Sequence, residues 1–291
     1  MPENDASRPG ERGTAPRISE LRYGNRDEYR SLVNDEELRY FRMTCGETDL
    51  QIGVSAYAVP TPEALETLRR AARDAAAAAR RLVKDAIARE PAFLSSLVPL
   101  PVPEDAAPII RRMYEAAETA GTGPMAAVAG AIAEAVGTEL LERLAKAGTL
   151  TADDTAAQGA ADTDACVLVE NGGDLYLHGP KAFTAAIAAG ASPLSMKLGL
   201  RVDAPRGFGV CTSSGTYGHS LSFGRADAAV VLAKDPSLAD AAATMLGNRC
   251  KTPEDLAPAV EWAAALPGVS GAVAVLGETL AAAGEIEFVR I

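Results

Sequence analysis

Aromatic side chains are scarce in this chain: they make up 5% of its 291 residues, with one tryptophan. Interior packing therefore falls to alanine and the aliphatic residues, whose small volumes let backbones approach one another closely. Positive charge is also in deficit, with 28 Lys and Arg against 39 Asp and Glu and a formal charge of -11. That balance repels phosphate backbones, and the cations lie among acids without forming a stripe, so nucleic-acid binding is set aside. Cysteine is sparse and scattered, at Cys45, Cys166, Cys211 and Cys250. These positions contain no CxxC pair and no histidine at metal-ligand spacing, which argues against structural zinc or a disulfide framework and for free thiols in the cytoplasm. Uninterrupted apolar runs long enough to cross a bilayer are missing, as is a charged n-region leading into an apolar h-region, so no membrane association is expected.

Hydrophobic residues at 48% and charged residues at 23% suffice for a sizeable core. Residues 1–16 are polar and punctuated by Gly and Pro, and read as a disordered arm. The runs YFRMTCG and LQIGVSAYAV, separated by an acidic turn at Glu47–Asp49, predict two adjacent strands. Thr61-Pro62-Glu63 supplies a cap, a proline for the first helical position and an acid for the dipole. Leu65, Leu68, Ala72, Ala75, Ala79, Leu82 and Ile87 then recur at helical spacing as far as Pro91. A proline-rich connector precedes a second helix through Ile109, Met113 and Ala116, stopped near Gly121, and a third follows the turn Gly121–Pro124. Residues 165–170 and 174–178 flank Asn171-Gly172-Gly173 as a hairpin. Strand-like pieces follow around 183–187, 196–202, 207–211 and 228–232. A helix is expected from Ser237 to Gly247, another from Thr252, and short strands at 269–276 and 285–289. Strand pairs separated by helix pairs predict an α+β protein in which helices cover one face of antiparallel sheets.

Three segments carry candidate chemistry. Gly121, Thr122, Gly123, Pro124 and Met125 lead into a helix, where free amides and the dipole favour an anion; an ordinary helix start explains the same residues. Asn171, Gly172, Gly173 and Asp174, preceded by Glu170, place two carboxylates around a glycine turn that suits a cation, a ribose hydroxyl or a planar ligand. The alternative is a hairpin whose acids face solvent. Thr212, Ser213, Ser214, Gly215 and Thr216, opened by Cys211 and followed by His219, offer short donors and acceptors for a phosphate and a general acid/base. Downstream, Asp240 and Thr244 stand one helical turn apart and share a face toward one hard cation.

The segments GTGPMAAVAGAIAEAVG, VENGGDLYLHG, CTSSGTYGHSLSFGRADAAVV and ADAAATMLGN, in that order, resemble an uncharacterised protein family, number 0280, of the ApbE-like superfamily. With ETDLQI and the proline-rich lead into IIRRM, the resemblance spans residues 20–291. It implies a T-fold-like architecture in which residues 17–291 form a single domain of two similar, intertwined halves. In characterised members of the superfamily it implies Mg2+-dependent transfer of FMN from FAD to a protein threonine. The family's glycine-pair motif falls on Gly172, Gly173 and Asp174, its serine-glycine turn on Ser214 and Gly215, and its histidine on His219. Its metal motif falls on Ala239, Asp240 and Ala241 with Thr244 beyond. Characterised flavin transferases have a Lys-Gly pair where this chain has Ala129-Gly130, and an Asp-Pro after the histidine where it has Leu221-Ser222-Phe223.

These features together predict a small-molecule cleft for FAD, FMN or another phosphate-bearing metabolite, with Mg2+ near Asp240 and Thr244 and His219 as acid/base. The residues 121–125 and 212–216 would hold the anionic end. The family resemblance also implies a second reading, an enzyme of sulfur assimilation toward homocysteine with Cys211 as nucleophile, and a third is a non-catalytic binding module. Small-residue surfaces suit a homodimer.

Overall fold

The computed structural model describes residue 30 and residues 35–146, 164–215 and 224–291. A first hairpin, β1 (Leu38–Cys45) and β2 (Thr48–Ser55), is followed by α1 (Pro62–Arg89), α2 (Ala92–Ser95), α3 (Pro108–Ala120) and α4 (Val128–Lys146). Strands β3 (Val167–Asn171), β4 (Asp174–His178), β5 (Ala182–Ala186), β6 (Leu198–Asp203), β7 (Phe208–Ser213) and β8 (Ala228–Ala233) come next. Helices α5 (Pro236–Arg249) and α6 (Leu256–Ala264) then lead to β9 (Val269–Leu276), β10 (Thr279–Gly284) and β11 (Phe288–Arg290).

Eight strands form one antiparallel sheet in the order β1-β2-β3-β4-β7-β8-β9-β10, and β11-β6-β5 form a smaller one. The sequence hairpin, helices, hairpin therefore occurs twice, as β1-β2, α1 to α4, β3-β4 and as β7-β8, α5 and α6, β9-β10, joined where β4 pairs with β7.

Every residue of β8 is buried, because the large sheet is covered on both faces. Ala229, Val231 and Ala233 face the helices, whereas Ala228, Val230 and Leu232 face a second core shared with Phe183, Leu200 and Val202 of the small sheet. A slip of one residue would exchange the two sets and match neither layer. The order is helices, large sheet, small sheet, which is the expected α+β class with helices on one side of antiparallel strands.

Local signals place the helices. Thr61 accepts a hydrogen bond from the Ala64 amide at 3.2 Å, and Pro62 opens α1 as its fixed φ favours. β10 differs from expectation: its LAAA core lacks the β-branched alternation that marks strands, and pairing with β9 alone makes it one. The span Pro124–Lys146 also differs, being long and apolar enough to cross a membrane although its apolar run is interrupted. More than half of its most apolar window, 56%, is buried, and Val136, Leu140 and Leu144 pack in the helical core. Its environment is that of a core helix. The expected arm at residues 1–16 lies outside the described residues.

Truncating fully buried Leu140 to alanine should lower unfolding free energy by about 2–5 kcal/mol in urea titration. Leu82→Ala on the exposed side of α1 should change it by only about 0.5 kcal/mol. Similar losses at both positions would contradict this placement of the core.

Candidate functional site

The hairpin at the top of β3 and β4 is a two-residue turn. Asn171 pairs with Asp174, and Gly172 and Gly173 take φ of 71° and 107°, the positive values a tight turn of this length demands. Asn171 thus ends its strand instead of sitting in the turn, which frees its side-chain amide to donate from Nδ2 to the Ala129 carbonyl at 3.1 Å. The Gly173 amide donates to Glu170 Oε1 at 2.8 Å. Asp174 Oδ1 accepts from the Thr212 amide of β7 at 3.3 Å.

The two carboxylates that flank this turn have different partners. Glu170 Oε2 receives the Arg30 guanidinium, with Nε at 2.7 Å, so it is committed to an ion pair and is not open to a ligand. Asp174 instead is raised by burial and then by the charge of Asp240. Asp240 Oδ2 accepts from the amides of Ala129 at 3.0 Å and Gly130 at 2.9 Å, in the first turn of α4. That reach requires α4 to touch α5: a Cβ on Gly130 would stand 2.2 Å from the Pro236 carbonyl oxygen. The first turn of α4 does receive an acceptor for its free amides, and that acceptor is a carboxyl oxygen of the protein's own Asp240.

The expected anion cradle at Gly121–Met125 is therefore displaced along the chain. The Gly121 and Thr122 amides both donate to the Ala117 carbonyl, at 2.8 and 3.0 Å, closing the end of α3. Gly123 is pressed against the Ser96 carbonyl, Thr122 and Pro124 are buried, and Met125 packs on the core. These residues hold helices together.

Burial dominates the electrostatics. It pushes the Asp174 carboxyl well above the usual carboxylate range, and the charge of Asp240 pushes it further, against the Thr212 amide and the Cys211 thiol. Burial likewise raises Asp240 to about 7, against the pull of the Gly130 and Ala129 amides. Cys211 is fully buried, its thiol raised by burial first and then by Asp174 and Asp240, with Sγ 3.5 Å from the Pro236 carbonyl. A nucleophilic cysteine needs an accessible thiolate in electropositive surroundings. Cys211 has the opposite setting, and the expectation of a reactive thiol gives way to a core residue.

A buried carboxyl such as Asp174 within reach of the charge of half-buried Asp240 can share a proton with it or join it in holding a hard cation. Thr244 is half-buried one turn along α5 from Asp240. Among the described residues no group of three or more His, Cys, Asp or Glu assembles around a metal position. A cation here would complete its shell with water or ligand oxygens, which is how Mg2+ is commonly held.

β7 brings the start of the third segment, Cys211 and Thr212, to Asp174. Thr212 is half-buried, Ser213 is buried beside Gly247 in the last turn of α5, Ser214 is half-buried, and exposed Gly215 donates its amide to the Ala226 carbonyl at 2.9 Å. Thr216 and His219 lie outside the described residues. Asn171, Gly173, Asp174, Thr212 and Asp240 are therefore linked in one network. Sequence reasoning missed Ala129 and Gly130 as the holders of Asp240, although the small pair inside a helical run was a visible mark of close packing. It also missed Arg30, which no local pattern announces.

A carboxyl that keeps its proton in the folded chain but loses it on unfolding makes stability fall as pH rises. In metal-free protein that loss should run from about pH 4, where an unfolded aspartate ionises, to the Asp240 value of about 7. Asp240→Asn should remove this contribution, so the melting-temperature difference between wild type and variant should shift against wild type across that window. A difference independent of pH would show that the carboxyl is not held protonated.

The family described as "AbpE bacteria" matches residues 30–272. A UPF0280 protein of Methanocella arvoryzae is 44% identical over 202 residues, covering 69% of this chain and 74% of its own. One from Methanococcus aeolicus is 38% identical over 212 residues, covering 71% and 78%. Among solved structures, the ApbE protein of Thermotoga maritima aligns over 84% of this chain and 96% of its own, at 14% identity and a TM-score of 0.49. With the family matched across most of its length and relatives covered over more than two thirds of theirs, this chain belongs to the UPF0280 family of ApbE-like proteins.

Proposed function

We propose that this protein binds a flavin nucleotide, or a related phosphate-bearing metabolite, together with Mg2+ where the β3–β4 turn, the start of α4 and the first turns of α5 meet. The observation that carries the reading is buried Asp174, whose carboxyl is raised by that burial and then by the charge of half-buried Asp240, a repulsion that a cation near both would relieve. Burying like charges side by side costs stability, and perturbed acids of this kind cluster at ligand sites.

Asp240, oriented by the Ala129 and Gly130 amides, and Asp174, oriented by the Thr212 amide, would hold the cation, with Thr244 alongside. Bound Mg2+ would neutralise the acid pair and present positive charge to a phosphate. The backbone of exposed Gly172 and half-buried Gly173 offers a flat surface free of side chains to a planar ring. Ser213, Ser214 and Gly215 supply hydroxyls and backbone for the rest of the ligand, and His219 is the candidate acid/base. The repeated order hairpin, helices, hairpin supports a single T-fold-like domain over residues 17–291 with two similar halves. Ala129 stands where flavin transferases carry lysine, so the reading is of a flavin-related site whose reaction is unassigned.

Isothermal titration with FAD, FMN and ADP, each with and without Mg2+, tests this directly. Saturable binding should require the cation for at least one of them, and Asp240→Asn or Asp174→Asn should weaken it about tenfold or more. Absence of cation-dependent binding by all three nucleotides would overturn the reading. Binding that persists without turnover for every acceptor supplied would identify a non-catalytic module with the same site.

A further inference from the structure

Helical winding sorts charges that the linear chain leaves mixed. α1 holds seven Lys and Arg against four Asp and Glu, in a protein whose formal charge is -11. At about 3.6 residues per turn, Arg69, Arg70, Arg73, Arg80, Arg81 and Lys84 fall within one arc of about 120°, adjoining the buried face that includes Ala76 and Val83. Along the sequence these cations lie among acids; once wound they form a stripe about 22 Å long from Arg69 to Lys84, which corrects the expectation that no stripe exists.

Two of the six are tied down. Arg80 donates to Thr48 Oγ1 at 2.9 Å and pairs with Glu47 in the β1–β2 hairpin, and Arg69 lies 5.5 Å over the Phe41 ring and 3.8 Å from Glu66. The other four, Arg70, Arg73, Arg81 and Lys84, are exposed and make no ion pair or hydrogen bond among the described residues. Asp74 and Asp85 follow Arg70 and Arg81 by one helical turn without pairing with them, and the charge of Asp74 acts on Arg143 of α4.

We infer that this face of α1 is a docking site for an acidic, Asp- or Glu-rich segment of a partner polypeptide. Unpaired cations concentrated on one helix face of an otherwise acidic protein give that face a field opposite to the rest of the surface, which selects and orients a partner of negative charge. Three of the four are arginines, whose planar fork matches a carboxylate through two parallel hydrogen bonds. A bilayer surface fits less well. Interfacial binding needs large apolar side chains beside the cations, whereas the uncharged members of the stripe are Ala77 and Ala88, and exposed Leu82 lies roughly 160° from its centre. A nucleic acid fits less well too, because a long polyanion would run off the stripe into the field of Asp74, Asp85 and the net negative protein. The length of the stripe corresponds to roughly six or seven residues of extended polypeptide.

The test uses the full chain and a fluorescein-labelled peptide of about eight glutamates, followed by fluorescence anisotropy. Wild type should bind it saturably, and affinity should fall several-fold when salt is raised from about 0.05 to about 0.3 M. Changing Arg70, Arg73, Arg81 and Lys84 together to Gln should weaken binding by about tenfold or more. A control with Lys197, Arg206, Lys234 and Lys251 changed to Gln removes the same number of exposed cations elsewhere and should stay within about twofold of wild type. Both variants should keep the wild-type melting temperature within a few degrees, since glutamine sustains a helix and the replaced side chains are exposed. Failure of wild type to bind the peptide, or equal weakening in the control, overturns the inference. So does tighter binding, through the same four residues, of a thymidine oligonucleotide of equal length or of phosphatidylserine-containing phosphatidylcholine vesicles. Sedimentation completes the test: a wild-type oligomer that the four stripe substitutions dissociate would make a second copy the occupant and would likewise overturn the proposal.

Discussion

The contact on which this architecture turns is the seating of α4 against α5, closed by a carboxylate. Gly130 has no side chain where Pro236 passes, and Asp240 fills the gap by accepting from two amides that would otherwise begin a helix without partners. Because Ala129 also offers its carbonyl to Asn171, the same residue ties the β3–β4 turn to both helices. The composition makes this possible. With few aromatics and many alanines, the helices approach until backbone, instead of large side chains, forms the interface, and a short aspartate can reach across it.

Identical functional groups acquire different roles here from their surroundings alone. Glu170 and Asp174 flank one turn and are both buried, yet one is paired with Arg30 and the other feels the charge of Asp240. The first arrangement stabilises a turn. The second is electrostatically unfavourable when both acids are ionised, and a proton or a cation between them relieves it. Cys211 belongs to the same neighbourhood and is silenced there, by burial first and then by the charges of Asp174 and Asp240.

Much of the fold was legible in the chain. The proline and threonine starting α1, the glycine ending α3 and the glycine pair between β3 and β4 each announce themselves through conformations that few other residues tolerate. The acid pair was half legible: Asp174 and Asp240 stood out as candidates, but nothing in a sequence shows that two residues so far apart in the chain feel one another's charge. β10 was hidden because alanine does not mark a strand, and Arg30 because its partners sit 19 and 140 residues away.

Local periodicity, caps and turn geometry were enough to establish the α+β class, most element boundaries and the short polar segments worth testing, because each of these is written within a few neighbouring residues. Which amides remain available, which carboxylates are paired and which thiol is buried emerged only once the chain was folded. Those properties depend on solvent exclusion and on charges brought within a few ångströms by packing, quantities that no local run of residues contains.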